Sequence, residues 1–171
     1  MVDSSPSSND LRLSQAKLPA AKVLIGPLSR RVALLSKATD EARRLSESEV
    51  ANSFTMEMTK ESTFTFCRAW VQGVVVAKSV DDAGKTVAVD VDDGTGVIKV
   101  DIRAILKKLT SRSIEYEPPE VSSYVMSIGK ILPSAAKVPL KAHKLLHVKD
   151  PNREPLWHAE CLHHFQHVLQ K

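Results

Sequence analysis

The stretch TVAVDVDDGTGVIKVDIR, residues Thr86–Arg103, decides the fold. Two runs of alternating apolar residues flank a tight Asp-Gly-Thr-Gly turn, a pattern that predicts a β-hairpin. The hairpin contains no Phe, Tyr or Trp. It is instead rich in carboxylates, and the loop before it adds more; the acidic residues are Asp81, Asp82, Asp90, Asp92, Asp93 and Asp101.

Further strands are predicted on both sides of this hairpin, with proline and glycine marking their limits. The predicted segments are a first strand over Phe64–Lys78 with a kink or bulge at Gly73, a short helical or irregular link over Ala104–Leu109, a fourth strand over Ser123–Leu132, and a fifth over Ala136–Val148 whose start Pro139 assigns to a sheet edge. Five short strands with one interposed link are typical of an OB fold. We therefore predict a mainly β chain with a single five-stranded OB-fold barrel over residues 63–150.

The acidic hairpin bears directly on function. In OB folds the central hairpin and its neighbouring loops bind single strands, with aromatic rings that stack on bases and cations that contact phosphates. This hairpin has no aromatic ring, and its four carboxylates outnumber its two cations, Lys99 and Arg103, so phosphates would be repelled. The sequence predicts a barrel that does not bind single-stranded DNA and that instead holds other proteins.

Both ends of the chain extend beyond the barrel. Residues 1–16 are small and polar, which predicts a disordered tail. Residues 17–62 are interpreted as an extended lead-in that packs on the barrel, followed by a polar insertion. Within it, Thr39–Val50 fits an exposed helix or disorder, and Ala51–Ser62 is predicted to be a linker.

Residues 151–171 show the clearest helical pattern. An apolar stripe runs along one side at i, i+4 and i+8 spacing. Its members are Trp157, Cys161, Phe165, Val168 and Leu169, and Leu162 widens it. A stripe this broad exceeds what a helix needs to cover the end of a small barrel, so we predict that it binds a partner. The sequence leaves core and interface about equally open for Trp157, whereas it favours the core for Trp70.

Charge and composition exclude few classes of protein. The net charge is +4, but the cations are dispersed rather than gathered in one stripe as nucleic-acid binding favours. The best basic candidates are Lys137, Lys141, Lys144 and Lys149, with Lys107 and Lys108 as possible neighbours. No apolar run approaches a membrane span and no signal peptide opens the chain. Two cysteines far apart in sequence favour a reduced intracellular compartment.

Histidines are concentrated near the C-terminus, at positions 143, 147, 158, 163, 164 and 167. One-turn pairs such as His163 and His167 suit zinc, but a structural zinc site needs four converging ligands. Here the candidate ligands spread around the helix, so we predict a solvated face, no bound metal and no cofactor. A Cys161–His pair without an oxyanion site or phosphate loop also gives no support for catalysis.

Several segments resemble the family of RecQ-mediated genome instability protein 2, in a plant-like version. The segments that carry the resemblance are KVLIGPLSR (Lys22–Arg30), AWVQGVVV (Ala69–Val76), SYVMSIGKI (Ser123–Ile131), KAHKLLHVKDPN (Lys141–Asn152) and EPLWHAECLHHF (Glu154–Phe165). Their order and the terminal Leu-Trp helix are fairly specific, whereas the DDGTGVI turn is shared by other OB proteins.

The resemblance implies a nuclear, non-enzymatic scaffold that pairs through its C-terminal helix with the C-terminal OB domain of RecQ-mediated genome instability protein 1. That assembly joins topoisomerase III and a Bloom-type RecQ helicase to dissolve double Holliday junctions and limit crossovers. Lys22, Trp70 and Lys144 match candidate docking positions beside the helix. Two alternatives are a DNA-binding subunit of a replication protein A or telomere-capping complex, and a metal-dependent enzyme built on the histidines.

Overall fold

The computed structural model describes residues 20–30, 54–57, 63–66, 68–132 and 140–169. The strands are β1 (Ala20–Lys22), β2 (Phe54–Glu57), β3 (Thr63–Phe66), β4 (Arg68–Val80), β5 (Thr86–Asp92), β6 (Val97–Asp101), β7 (Tyr124–Ile131) and β8 (Leu140–His147). The helices are α1 (Arg103–Thr110) and α2 (Arg153–Leu169), and residues 25–30 are also helical. The predicted tail over 1–16 and the segment Thr39–Val50 lie outside the described residues.

Five of these strands close into a barrel. The sheet runs β1–β4–β5–β6–β8–β7, and β7 returns to pair with β4. All neighbouring barrel strands are antiparallel except β6 and β8, which are parallel. Helix α1 connects β6 to β7, at the position of the predicted link. This arrangement confirms the predicted mainly β OB fold with a C-terminal helix.

The N-terminal boundary of the barrel differs from the prediction. Strand β4 begins at Arg68, and the preceding Thr63–Phe66 pairs antiparallel with Phe54–Glu57 in a separate two-stranded sheet. Part of the predicted linker is therefore a strand. The reason is local, because the segment FTME alternates bulky apolar and β-favouring residues that suit an extended chain.

Gly73 has a different role from the predicted bulge. The irregularity in β4 lies further along, between Val75 and Ala77. At Gly73, a Cβ atom would collide with the backbone carbonyl of Asp92. Glycine is needed here because two strands approach more closely than a side chain allows.

The core fills the barrel and extends under the N-terminal segment. Strand β7 alternates half-buried and buried residues along its whole length, as a barrel wall does. The lead-in supplies Val23, Ile25 and Leu28, all fully buried. The predicted packing of this segment on the barrel is thus seen, although residues 25–30 are helical rather than extended.

A buried carboxylate joins the lead-in to the hairpin turn. Asp93 is only 2% exposed. One of its oxygens accepts the backbone N–H of Ile25 at 2.8 Å, and the other accepts the N–H and the hydroxyl of Thr95 at 2.9 and 2.6 Å. The Thr95 hydroxyl in turn accepts the N–H of Gly26 at 2.9 Å. The acidic turn therefore holds the start of the helical segment, where free N–H groups need acceptors.

Replacing Asp93 with alanine is expected to lower the free energy of unfolding by about 1–3 kcal/mol, because buried N–H donors lose their acceptor. The matched change Asp92→Ala should cost less than about 1 kcal/mol, since the bond that the Asp92 carboxylate accepts, from the Gly94 N–H, lies at the exposed turn. Urea unfolding followed by circular dichroism compares the two. Equal losses would show that the Asp93 contact does not support the lead-in.

Candidate functional site

The two tryptophans meet where α2 packs on the outside of the barrel. The rings of Trp70 on β4 and Trp157 on α2 have centroids 5.9 Å apart and planes inclined by 35°. Trp157 is 0% exposed, and Cys161 one turn later is also fully buried. An aromatic contact of this kind adds to the burial of apolar area, so it holds the helix in place.

An ion network closes over this aromatic contact. Glu160 on α2 accepts hydrogen bonds from Lys22 of β1 at 2.9 Å and from both terminal nitrogens of Arg153 at 2.7 and 2.8 Å. Arg153 also donates to the side-chain oxygen of Gln72 on β4 at 3.1 Å. The Lys22 ammonium lies 4.9 Å from the centre of the Trp70 ring, within cation–π range. Helix α2 is thus tied to both β1 and β4.

The protonation equilibria around α2 follow from these contacts. The hydrogen bond from Arg153, and then that from Lys22, lower the pKa of Glu160 despite its partial burial. Burial, nearby Lys22 and the neighbouring histidines lower the pKa of His164. Burial raises the pKa of the Cys161 thiol to about 12, so this thiol is protonated and unreactive at neutral pH.

The predicted docking residues Lys22, Trp70 and Lys144 lie in one row across four strands. Lys22 is paired with Trp70, Trp70 with Ile128, and Ile128 with Lys144. Helix α2 covers the β1 and β4 half of this outer face. Ile128 and Met126 on β7 are half-buried, while Lys144 on β8 is exposed. The uncovered half is therefore apolar in the middle and basic at its far end.

The apolar stripe of α2 is divided by this packing. Trp157 and Cys161 are covered by the chain's own barrel, so in this conformation they support the helix and offer no surface to a partner. Phe165 is half-buried against the core, and Leu162 is 58% exposed. The side chains of Val168 and Leu169 lie outside the described residues. Trp157 is thus buried within the single chain, as the core alternative expects.

The two sides of α2 are distinguished by Leu156 and Leu162. Leu156 lines a groove of about 320 Å³ beside Lys22, on the β1 side. Leu162 follows Glu160 by two positions, about 200° around the helix at 100° per residue, so it is turned away from β1. Leu156 and Leu162 therefore lie on different sides of α2.

Four residues of this site were not predicted from the sequence: Gln72, Arg153, Glu160 and Ile128. Arg153 and Glu160 are seven residues apart, and positions i and i+7 share a helix face. That spacing signals a pair of opposite charges on the buried side of α2. The partners on β1 and β4 carry no comparable signal, because Lys22 and Glu160 are 138 positions apart.

The acidic residues of the hairpin are used within the chain. Arg103 donates three hydrogen bonds from its side chain and one from its backbone N–H to Asp101. The Lys99 ammonium lies 3.4 Å from a carboxylate oxygen of Asp90, and Asp81 accepts N–H groups in its own turn. The best basic surface lies elsewhere, on β7 and β8, where Lys130 is paired with Lys141. Burial and the nearby cations of Arg68, Lys141 and Lys130 lower the pKa of His143.

The histidines of α2 do not converge within the described part of the chain. The rings of His163 and His167 are 4.4 Å apart edge to face, but no group of three or more His, Cys, Asp or Glu among the described residues is arranged to hold a metal. Neither described helix has the length and apolarity needed to cross a bilayer.

Comparison with protein families gives one match over most of the chain. The family model of RecQ-mediated genome instability protein 2 matches residues 19–165. That range includes the barrel, the lead-in, the ion network and most of α2. No curated protein matches the chain significantly.

Comparison with solved structures identifies other OB-fold proteins. The yeast Stn1 and Ten1 structure is 13% identical, with a TM-score of 0.61 over 95% of this chain and 80% of the other. A replication protein A heterotrimer bound to single-stranded DNA is 16% identical, with a TM-score of 0.51 over 88% and 98%. The S. pombe Stn1–Ten1 complex is 24% identical, with a TM-score of 0.49 over 63% and 76%. The first two support the OB fold.

Acidification is expected to loosen the docking of α2. The folded-state pKa of His164 is lowered, so below its ordinary value of about 6.5 the unfolded chain binds the proton more readily and stability falls. The pKa of Glu160 is also lowered, so its contribution is complete above about pH 4.5 and is lost as the pH falls through its folded-state pKa. Thermal unfolding at a series of pH values, followed by fluorescence of the two tryptophans, measures the loss of stability in each of these two pH ranges. If the His164→Gln variant lost stability below about pH 6.5 as the wild type does, the assignment to His164 would be contradicted.

Proposed function

Because the chain belongs to the family of RecQ-mediated genome instability protein 2, we propose that it is a non-enzymatic scaffold subunit that pairs with a second OB domain. The partner is the C-terminal OB domain of RecQ-mediated genome instability protein 1. Through it the chain joins topoisomerase III and a Bloom-type RecQ helicase in the nucleus, where the assembly dissolves double Holliday junctions and suppresses crossovers. No residue is assigned a catalytic role.

One observation carries this proposal: the outer face beside α2 is only half covered. Leu162 is exposed at the edge of α2, and half-buried Ile128 and Met126 continue the apolar surface on β7. A helix from a second OB domain, lying alongside α2, would bury these side chains. Lys144 at the rim would add an electrostatic contact that favours an acidic neighbour.

The predicted residues then fall into two groups. Leu162, Phe165 and Lys144 would contact the partner directly, with Val168 and Leu169 continuing the contact along α2. The other group would act indirectly, because it holds α2 at the angle that the partner requires; its members are Trp157, Cys161, Trp70 and Lys22.

Replacing Leu162 with glutamate is expected to weaken pairing strongly while the chain stays folded. A charge at a central apolar contact costs about 2 kcal/mol or more, which is roughly 30-fold in affinity. Leu156→Glu is the matched control: it is the same change on the same helix, at a side chain that is also exposed but lies on the β1 side. Calorimetry with the partner OB domain measures both, and equal effects would contradict the proposed face.

The variant Trp157→Ala distinguishes residues that hold α2 on the barrel from residues that contact the partner directly. Removing a fully buried tryptophan typically costs about 3–5 kcal/mol, so this variant should lose pairing together with the protection of α2 amides from hydrogen exchange. Leu162→Glu should lose pairing alone. Recovery of topoisomerase III and the helicase from nuclear extract by the wild type, and their loss with Leu162→Glu, tests the larger assembly.

A second candidate function is binding of single-stranded DNA, favoured by the neighbouring cations Lys130 and Lys141 on β7 and β8. The hairpin argues against it, since its carboxylates would repel phosphates. We expect the isolated chain to bind an oligonucleotide more weakly than micromolar at physiological salt. Fluorescence anisotropy across a salt series tests this, and micromolar or tighter binding with a steep salt slope would favour the DNA-binding function.

A further inference from the structure

Strand β8 has an open edge over its second half. On one side it pairs with β7 along its whole length, but β6 reaches only Leu140 and Lys141 on the other. The Val148 N–H donates to the carbonyl directly opposite, that of Tyr124, at 2.9 Å. Hydrogen-bonded pairs alternate along an antiparallel ladder, so the N–H and C=O groups of Leu145 and His147 point away from β7. Within the described residues no other strand pairs with them.

A groove of about 350 Å³ lies against this edge. It is lined by Leu145, which points into the core, and by Leu146, which points outward, so it borders the strand's edge rather than one face. The loop before β7 forms the opposite wall and supplies Tyr116, Glu117, Pro118, Pro119 and Glu120. Successive prolines stiffen this wall, which lowers the entropy lost when a ligand binds.

The charge on this wall is not balanced. Glu120 is engaged by Lys78, whose ammonium lies 2.8 Å from both carboxylate oxygens. Glu117 lines the same groove, is exposed, and has no ion pair within the described part of the chain. A cation arriving with a ligand would therefore find an uncompensated carboxylate beside apolar side chains.

We propose that this groove binds an extended peptide segment of another protein, which adds as a strand to the open edge at Leu145–His147. Main-chain hydrogen bonds to Leu145 and His147 would fix its direction and register. An apolar side chain of the segment would pack between Leu146 and the prolines, and a Lys or Arg would meet Glu117. The site adjoins the face proposed for OB pairing, because Leu146 is paired with Met126 across β8 and β7, but its main-chain contacts and Glu117 lie outside that face.

The spacing of the peptide follows from strand geometry. Alternate side chains of an added strand point to the same side, about 6.5–7 Å apart. The apolar anchor and the basic residue would thus be separated by one residue that points to the opposite side of the added strand.

The test uses the full chain and a phage-displayed library of random ten-residue peptides. We expect enrichment of sequences with an apolar residue and a Lys or Arg two positions apart. A synthetic peptide of the enriched sequence is then titrated by fluorescence polarisation. Glu117→Lys should weaken it roughly 3- to 10-fold, the scale of a charge reversal at a partly exposed pair. Glu115→Lys, an exposed acid of the same loop that does not line the groove, should leave binding unchanged.

Amide exchange supplies the second measurement. Bound peptide should slow exchange of the Leu145 and His147 amides and leave that of Leu146 unchanged, because Leu146 already bonds to β7. Absence of the apolar–basic pattern, equal effects of Glu117→Lys and Glu115→Lys, or unaltered exchange at both amides would each overturn the proposal. Displacement of the peptide by oligothymidylate at the same amides would instead identify a nucleic-acid site and also overturn it.

Discussion

Glu160 is the group that fixes the position of α2 on the barrel. Its carboxylate bridges a cation from β1 and another from the first turn of α2, and the second cation continues to the side-chain amide of Gln72 on β4. A partly buried carboxylate is tolerated only when hydrogen bonds replace its water. The same bonds therefore set the angle of α2, cover the paired tryptophans and leave one side of the helix open.

Asp93 acts in a similar way at the hairpin turn, although its consequence for function is different. In nucleic-acid-binding OB folds this turn faces the ligand. Here Asp93 in the turn binds the chain's own N-terminal segment instead. The remaining hairpin acids are engaged in the turn or with Arg103 and Lys99. The carboxylates of the hairpin thus stabilise the fold. The surfaces proposed for partners lie on α2, β7 and β8.

Both of those surfaces involve β8. Helix α2 sits over β1 and β4, so the outward side chain of Lys144 on β8 stays uncovered. Strand β6 pairs with β8 over only two residues, so the edge from Leu145 to His147 is also uncovered. One face of the strand suits a packed helix, whereas its edge suits an extended segment. The two proposed surfaces meet where Leu146 on β8 is paired with Met126 on β7.

Sequence patterns alone predicted the hairpin, the barrel strands and α2, because alternation, turn residues and helical spacing are local signals. The resemblance to a family supplied Lys22, Trp70 and Lys144, which the sheet then aligned in one row. Local signals did not reveal the pairing of Phe54–Glu57 with Thr63–Phe66, the acceptor role of Asp93, or the bond between Lys22 and Glu160. An apolar stripe predicts that one face of a helix is buried. It does not show which residues of that face are buried by the chain itself. The burial of Trp157 and the exposure of Leu162 became visible in the folded chain, because burial depends on segments that are distant in sequence and meet when the barrel closes.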